Sequence, residues 1–330
     1  MFFKNYQLTF MTTTFLGTLM AVSSNSWILC WIGLEINLMS FIPLILSDLN
    51  FKSTETAIKY FLTQAVASVI LITAASFTAL QMKNYYLESM NFFLFLALSI
   101  KAGLAPFHIW FPQVTEFISW FKCFIIFTWQ KIAPFMLIIN FNISVFTYFI
   151  IIMSATAGAV GGLNQMSSKI LLTYSSISHS AWMLMLASLS LKFWTFYFLI
   201  YFFVLSPIIF AMNFLNFKKI KEINSSKINL KTKLMLSTLI MSLGGLPPFL
   251  GFLSKLIALT VAVKTFPMVI MITLVASSLV SLYFYTKMFF NSLTASLPEK
   301  KISSSEKKIN KFIIFSLAGN LILSNLVLLI

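Results

Sequence analysis

Lys101-Ala-Gly-Leu-Ala-Pro-Phe-His108 and Ser242-Leu-Gly-Gly-Leu-Pro-Pro-Phe249 are the two stretches whose reading decides the fold. Each carries Gly-Leu-x-Pro-Phe inside a long apolar run, at 103–107 and at 245–249. A proline in a helix removes one backbone hydrogen bond and clashes with the preceding turn. Carbonyls freed in this way are tolerated in hydrocarbon only beside protein or water. Both runs therefore read as discontinuous membrane helices, and interrupted helices in matching positions of two halves point to a transporter site. The motifs begin at Gly103 and Gly245, 142 residues apart.

The composition around them is that of a membrane protein. Of 330 residues, 59% are hydrophobic and 9% charged, and the mean hydropathy is +0.92. At about 20 apolar residues per crossing, this length holds about a dozen helices and leaves no room for a soluble nucleotide-binding or iron–sulfur domain. Eight acidic residues, two histidines and two cysteines leave little for a metal site. Cys30 and Cys123 each stand alone in an apolar run, which gives no redox pair or disulfide. No cofactor or metal is expected in this chain.

Apolar runs bounded by Lys, Asn, Asp or Ser place helices near 8–24, 26–46, 54–82, 90–111, 121–141, 144–163, 167–188, 191–214, 232–260, 267–291 and 311–329. The expected fold is an all-α polytopic membrane protein of about eleven transmembrane helices, forming a single domain over 1–330. The broken helices are the fourth and the ninth, so each repeat contains five. An odd number inverts the second copy. Two inverted repeats are expected, about 8–141 and 144–291, followed by a C-terminal helix at about 311–329.

The net charge of +15 raises nucleic acid as a partner, but the lysines lie between or inside apolar spans and not along one soluble face. Topology is the better reading. Numbering the gaps alternately leaves Lys83, Lys192 and Lys264 on one side and 17 lysines, from Lys4 to Lys311, on the side of the N-terminus. The N-terminus should face the matrix or cytoplasm and the C-terminus the opposite phase. The clusters at 218–233 and 300–311 either bind anionic lipid such as cardiolipin, or a partner's acidic surface, or simply orient the chain. All 23 basic residues are lysine, alongside 37 Phe and 17 Met, a usage that points to an AT-rich genome and so to an organelle. The opening residues lack the Arg- and Ser-rich leader of an imported precursor, so a mitochondrial protein made inside the organelle is expected.

Three lysines fit no loop: Lys101, Lys131 and Lys255. With them goes one mid-span carboxylate, Glu35, about nine residues or ~13 Å from its helix start. An ionisable group at such depth costs at least ~2.5–3.5 kcal/mol on insertion scales. Mutual pairing, internal water or neutralisation must compensate, and each supplies a group able to exchange protons. A buried Glu–Lys bridge that merely holds helices together accounts for one pair and leaves two lysines over. His108 follows the first break. His179 lies in Thr173-Tyr-Ser-Ser-Ile-Ser-His-Ser180, four residues from Ser175 and on the same face. Each histidine is read either as part of a hydrated track or as a satisfied structural group.

These blocks resemble the antiporter-like membrane subunits of respiratory NADH:ubiquinone oxidoreductase. The resemblance runs through Asn25-Ser-Trp-Ile-Leu-Cys-Trp-Ile-Gly-Leu-Glu-Ile-Asn37, Ala57-Ile-Lys-Tyr-Phe-Leu-Thr-Gln64, Lys101 to Pro112, Trp129-Gln-Lys-Ile-Ala-Pro134, Thr173 to His179 and Gly244 to Lys255. It implies a core subunit of the proton-pumping arm of the mitochondrial inner membrane, working beside sister antiporter-like subunits. NADH, FMN, iron–sulfur clusters and ubiquinone then belong to other chains of the complex. By the same resemblance Glu35 tunes the charge of Lys101, Lys131 passes protons laterally, and Lys255 serves a second half-channel. Lys59, His108 and His179 join the hydrated axis. Gln113 stands where relatives often carry an acid, with Glu116 one turn later, which leaves the role of an acid there open. Physics alone allows two further readings: a subunit of a multisubunit cation/proton antiporter, and a non-pumping structural subunit.

Overall fold

The computed structural model describes residues 5–47, 50–79, 84–141, 143–215 and 230–294. The described residues form thirteen α-helices and no strand. The expected helix at 311–329 and most of the lysine clusters at 218–233 and 300–311 lie outside them. Seven helical spans are long and apolar enough to cross a membrane, with shorter apolar helices beside them. Leu16, Leu62, Val69, Phe203, Ile272 and Leu279 are among the large apolar side chains left on outer surfaces, where a bilayer and not water suits them.

The chain divides into two compact units at Val145/Phe146. The first holds α1 (Asn5–Ser23), α2 (Trp27–Leu46), α3 (Phe51–Ala79), α4 (Asn84–Ala102), α5 (Trp110–Phe117), α6 (Trp120–Phe127) and α7 (Trp129–Ile138). Ser26 caps α2 by accepting from the Leu29 amide at 3.4 Å. The backbones of α1 and α2 approach closely because glycines meet there. A Cβ on Gly33 would lie 2.6 Å from the Ala21 amide nitrogen, and one on Gly17 would lie 2.8 Å from the Gly33 carbonyl oxygen. Small residues permit such contact where no hydrophobic effect drives helices together.

The fourth expected span needs correction. It does not end near 111 but runs on as α4 and α5, interrupted between Ala102 and Trp110. The reason lies at Gly103, whose φ of 71° is the left-handed region open to glycine. Its amide donates to Ile100 at 3.1 Å and the Leu104 amide donates to Ser99 at 3.0 Å, the paired bonds of a Schellman helix end. The Trp110 indole donates to the Ile100 carbonyl at 3.2 Å and adds a partner at the broken end. The next expected span, 121–141, is also divided, at Thr128 between α6 and α7. The Thr128 hydroxyl bonds back to the Phe124 carbonyl at 2.7 Å, and Pro134, within α7, has no amide to donate to the Gln130 carbonyl one turn back. Lys122, at the edge of the expected span and counted among the lysines on the side of the N-terminus, is a buried residue of α6 that donates to the Ile45 carbonyl at 3.4 Å. A lysine near a helix C-terminus has that use: it satisfies a carbonyl the helix leaves unpaired.

The second unit holds α8 (Val145–Gly162), α9 (Ser168–Ala187), α10 (Leu191–Leu215), α11 (Leu230–Gly244), α12 (Leu250–Ala262) and α13 (Met268–Thr294). Its core is α9, a membrane-length span 89% buried in spite of its polar sequence. The polarity is absorbed locally: Ser175, Ser176, Ser178 and Ser180 each donate to the carbonyl three residues back, at 2.6–2.8 Å. Gly158 of α8 lets that helix come within contact of the α9 backbone, since a Cβ there would lie 2.6 Å from the Ser178 amide nitrogen. The second broken span, expected at 232–260, is α11 followed by α12. Gly245 has φ 86°, and its amide donates to Met241 at 3.2 Å, the single bond of a left-handed helix cap.

Candidate functional site

In the first unit, the break after Ala102 and the interruption at Thr128 bring two buried lysines to one cavity. Lys101 (7% exposed) ends α4 and Lys131 (2% exposed) begins α7. Both line a small interior space of about 20 Å³ with Asn37, Tyr60, Gln64 and Gln130, room for about one water molecule. Asn37 of α2 and Gln130 of α7 exchange two amide hydrogen bonds, at 2.8 and 2.9 Å. Lys131 Nζ lies 5.7 Å from the centre of the Phe111 ring, within the range of a cation–π attraction. The Gln64 side-chain amide nitrogen is buried and has no hydrogen-bond partner among the described residues. A buried donor in that state costs free energy that a water in the cavity would recover.

Glu35 does not join Lys101 as a direct ion pair. It lies on a separate groove between α1 and α2, lined by Thr9, Thr13, Trp31, Ile32, Met39 and Ser40 among others. Its Oε2 is buried without a hydrogen-bond partner. This differs from a bridge that bolts helices together.

The other expected residues fall as follows. His108 lies in the break itself, partly buried, and its carbonyl accepts from the Phe111 amide at 2.9 Å. Lys59 is not brought to the cavity. Its ammonium is 2.7 Å from Glu55, with side chains 38% and 49% exposed, and its neighbours Tyr60 and Gln64 face inward in its place. Gln113 and Glu116 are both exposed on α5.

In the second unit, Lys255 (8% exposed) sits in α12 beyond the break. Its Nζ donates at 2.8 Å to the carbonyl of Gly244, the last residue of α11. The helix end concentrates partial negative charge there, so the break supplies a partner to the amine without any carboxylate. His179 is buried within α9, and its Nδ1 lies 2.8 Å from the Tyr197 hydroxyl on α10. The ring of Tyr201, one turn on, is centred 5.2 Å from the imidazole. Tyr285 of α13 is also fully buried. The sequence reading passed over these tyrosines, and over Asn37 and Gln130. The signal was present in the spacing of Tyr197 and Tyr201, which share one face of an otherwise apolar helix, and in Gln130 adjoining Lys131.

A chain with this construction has known counterparts. The family model described as NADH:quinone oxidoreductase/Mrp antiporter, TM, matches residues 24–281. NADH-ubiquinone oxidoreductase chain 2 of Locusta migratoria is 36% identical over 95% of this chain and 93% of its own length. That of Aedes aegypti is 42% identical over 83% and 82%. A chain of respiratory complex I from Thermus thermophilus with bound aureothin superposes with a TM-score of 0.87, at 21% identity, covering 97% of this chain and 78% of that one. At such identity this last likeness speaks for the fold alone.

Proposed function

Because this chain belongs to the NADH:quinone oxidoreductase/Mrp antiporter membrane family, and within it to the chain 2 line of NADH-ubiquinone oxidoreductase, we propose that it carries protons across the membrane as a subunit of respiratory complex I. The observation that carries the proposal is that Lys101, Lys131 and Lys255 are all buried, each beside a helix interruption. Retaining three amines at that depth is costly unless their charge is used.

The work of each residue follows from its surroundings. Glu35 holds Lys101 charged while no other cation is near, and an approaching positive charge makes Lys101 release its proton. Lys131 shares the cavity and receives that proton through water or the amide lining. Lys255 alternates between donation to the Gly244 carbonyl and proton release into the second half-channel. His108 and His179 extend the path at the first break and along α9. Electron transfer from NADH to ubiquinone takes place in other subunits through FMN and iron–sulfur clusters, and this chain supplies only the pump. Sister antiporter-like subunits flank it in the mitochondrial inner membrane, with anionic lipid such as cardiolipin at its lysine-rich side. The two broken helices belong to inverted repeats, and the N-terminus lies in the matrix. The family model also covers Mrp antiporters, but the relatives at 36% and 42% identity favour the respiratory complex.

The test is Lys131→Met in the whole complex, reconstituted in liposomes. The complex should assemble while proton translocation driven by NADH oxidation falls at least about tenfold, the scale on which a positioned proton-transfer group acts. Undiminished translocation by that variant would remove the proposal.

A further inference from the structure

We infer that Tyr197 is a proton-relay residue of the pump, joining the imidazole of His179 through Ser254 to the half-helix that carries Lys255. The inference deepens the proton-carrying reading above and rests on it.

Three helices meet at the Tyr197 hydroxyl. From α9 comes His179 Nδ1, 2.8 Å away. From α10 comes Tyr197 itself, 1% exposed. From α12 comes Ser254, buried beside the same hydroxyl and preceding Lys255 in the chain. The Ser254 hydroxyl already donates to the Gly251 carbonyl at 3.0 Å, so its lone pairs remain open to Tyr197. A phenol is one donor and one acceptor at once. It can therefore take a hydrogen bond from one side and give one to the other, which an apolar ring in that place cannot.

Proton passage through it balances as follows. The Nδ1–H bond of a protonated His179 breaks as a new O–H bond forms at Tyr197. The proton that Tyr197 carried leaves its oxygen for Ser254, whose own hydroxyl proton passes through a bridging water to the neutral amine of Lys255 on the same half-helix. No net charge rests on the tyrosine at the end. Tyr201 packs its ring on the imidazole, and Tyr285 of α13 stands beside Ser175, one turn before His179. The titratable groups that α10, α12 and α13 bring to this region are thus Tyr197, Tyr201, Lys255 and Tyr285. α8 meets α9 here with Gly158.

The experiment uses the whole complex in liposomes, with Tyr197→Phe, His179→Ala, the pair together, and Lys255→Met. Removing one hydroxyl that bonds a protonated imidazole should lower proton translocation per electron about tenfold. The pH profile of translocation should move by ~0.5 unit or more, because the bond acts on one protonation state of His179. The double variant should be no worse than His179→Ala alone, since both changes cut the same link. Should Tyr197→Phe fail to assemble, Ser254→Ala severs the next step at little cost in volume and is read in the same way. Additive losses with an unmoved pH profile, or full translocation by Tyr197→Phe or Ser254→Ala while Lys255→Met is inactive, overturn the inference alone. Full translocation by Lys255→Met strikes instead at the parent reading.

Discussion

The ammonium of Lys255 is 2.8 Å from the carbonyl oxygen of Gly244, on the opposite side of a helix break from its own backbone. The contact exists because Gly245 turns the chain with φ 86° and leaves the end of α11 pointing at α12. A Cβ on Gly245 would lie 3.1 Å from Lys255 Nζ and 3.3 Å from its Cδ.

Gly245→Ala should therefore act twice. The left-handed backbone costs an alanine about 1–2 kcal/mol, and the added methyl presses on the amine. The complex should melt at a lower temperature and translocate fewer protons per electron, measured by thermal denaturation and by a pH-sensitive dye in liposomes. If translocation is unchanged while stability falls, the Lys255–Gly244 contact has no part in pumping.

The amide pair of Asn37 and Gln130 separates stability from function in the first unit. Gln130→Leu leaves the buried Asn37 amide unpaired, at about 1–3 kcal/mol, and Asn37→Leu leaves the half-buried Gln130 amide unpaired at a smaller cost. Replacing both by leucine removes the orphan, so the double variant should regain much of the lost stability. It also strips two polar groups from the cavity of Lys101 and Lys131, and translocation should stay low. Recovery of both together would show the pair to be scaffolding only.

What could be read from the chain alone follows the same division. The broken helices were legible because proline and glycine act locally, on the backbone of their own turn, and Lys101, Lys131 and Lys255 were conspicuous as charges in apolar runs. The end of the fourth span was not legible. Trp110 to Phe117 carries Gln113, Thr115 and Glu116 among its apolar residues and reads as the edge of a span, and only the fold carries α5 onward past the break. Lys59 drew attention through its neighbourhood, yet helical rotation turns it to Glu55 on an exposed face and sends Tyr60 and Gln64 inward. Lys122 stood at the edge of an expected span, and its burial was not legible because its carbonyl partner, Ile45, lies on another helix. Partners distant in sequence, such as His179 and Tyr197 on two helices, appear only when the helices are packed.

Close helix packing gives a prediction independent of proton chemistry. Gly33→Ala would set a methyl 2.6 Å from the Ala21 amide nitrogen, backbone that has no rotamer to yield. The α1–α2 pair must separate, and the level of assembled complex on a native gel should drop. Leu16→Ala, on an outward surface of α1 (57% exposed), should leave assembly near normal. Equal assembly of the two variants would mean that α1 and α2 are held by something other than this contact.

Orientation can be tested at the two ends of the first unit. One end carries Asn50 and Lys52, whose ammonium lies 5.0 Å over the Phe117 ring, and Lys122 pairs there with the end of α2. The other end carries exposed Asn25 in the turn between α1 and α2. An excess of lysine marks the side that is not translocated, so the lysine-bearing end should face the matrix. With the buried Cys30 and Cys123 as the background thiols, Lys52→Cys should react with a membrane-impermeant maleimide from the matrix side only. Asn25→Cys should react from the intermembrane side only. The reverse pattern would invert the topology, and it would also require the lysine asymmetry to serve lipid or partner binding in place of orientation.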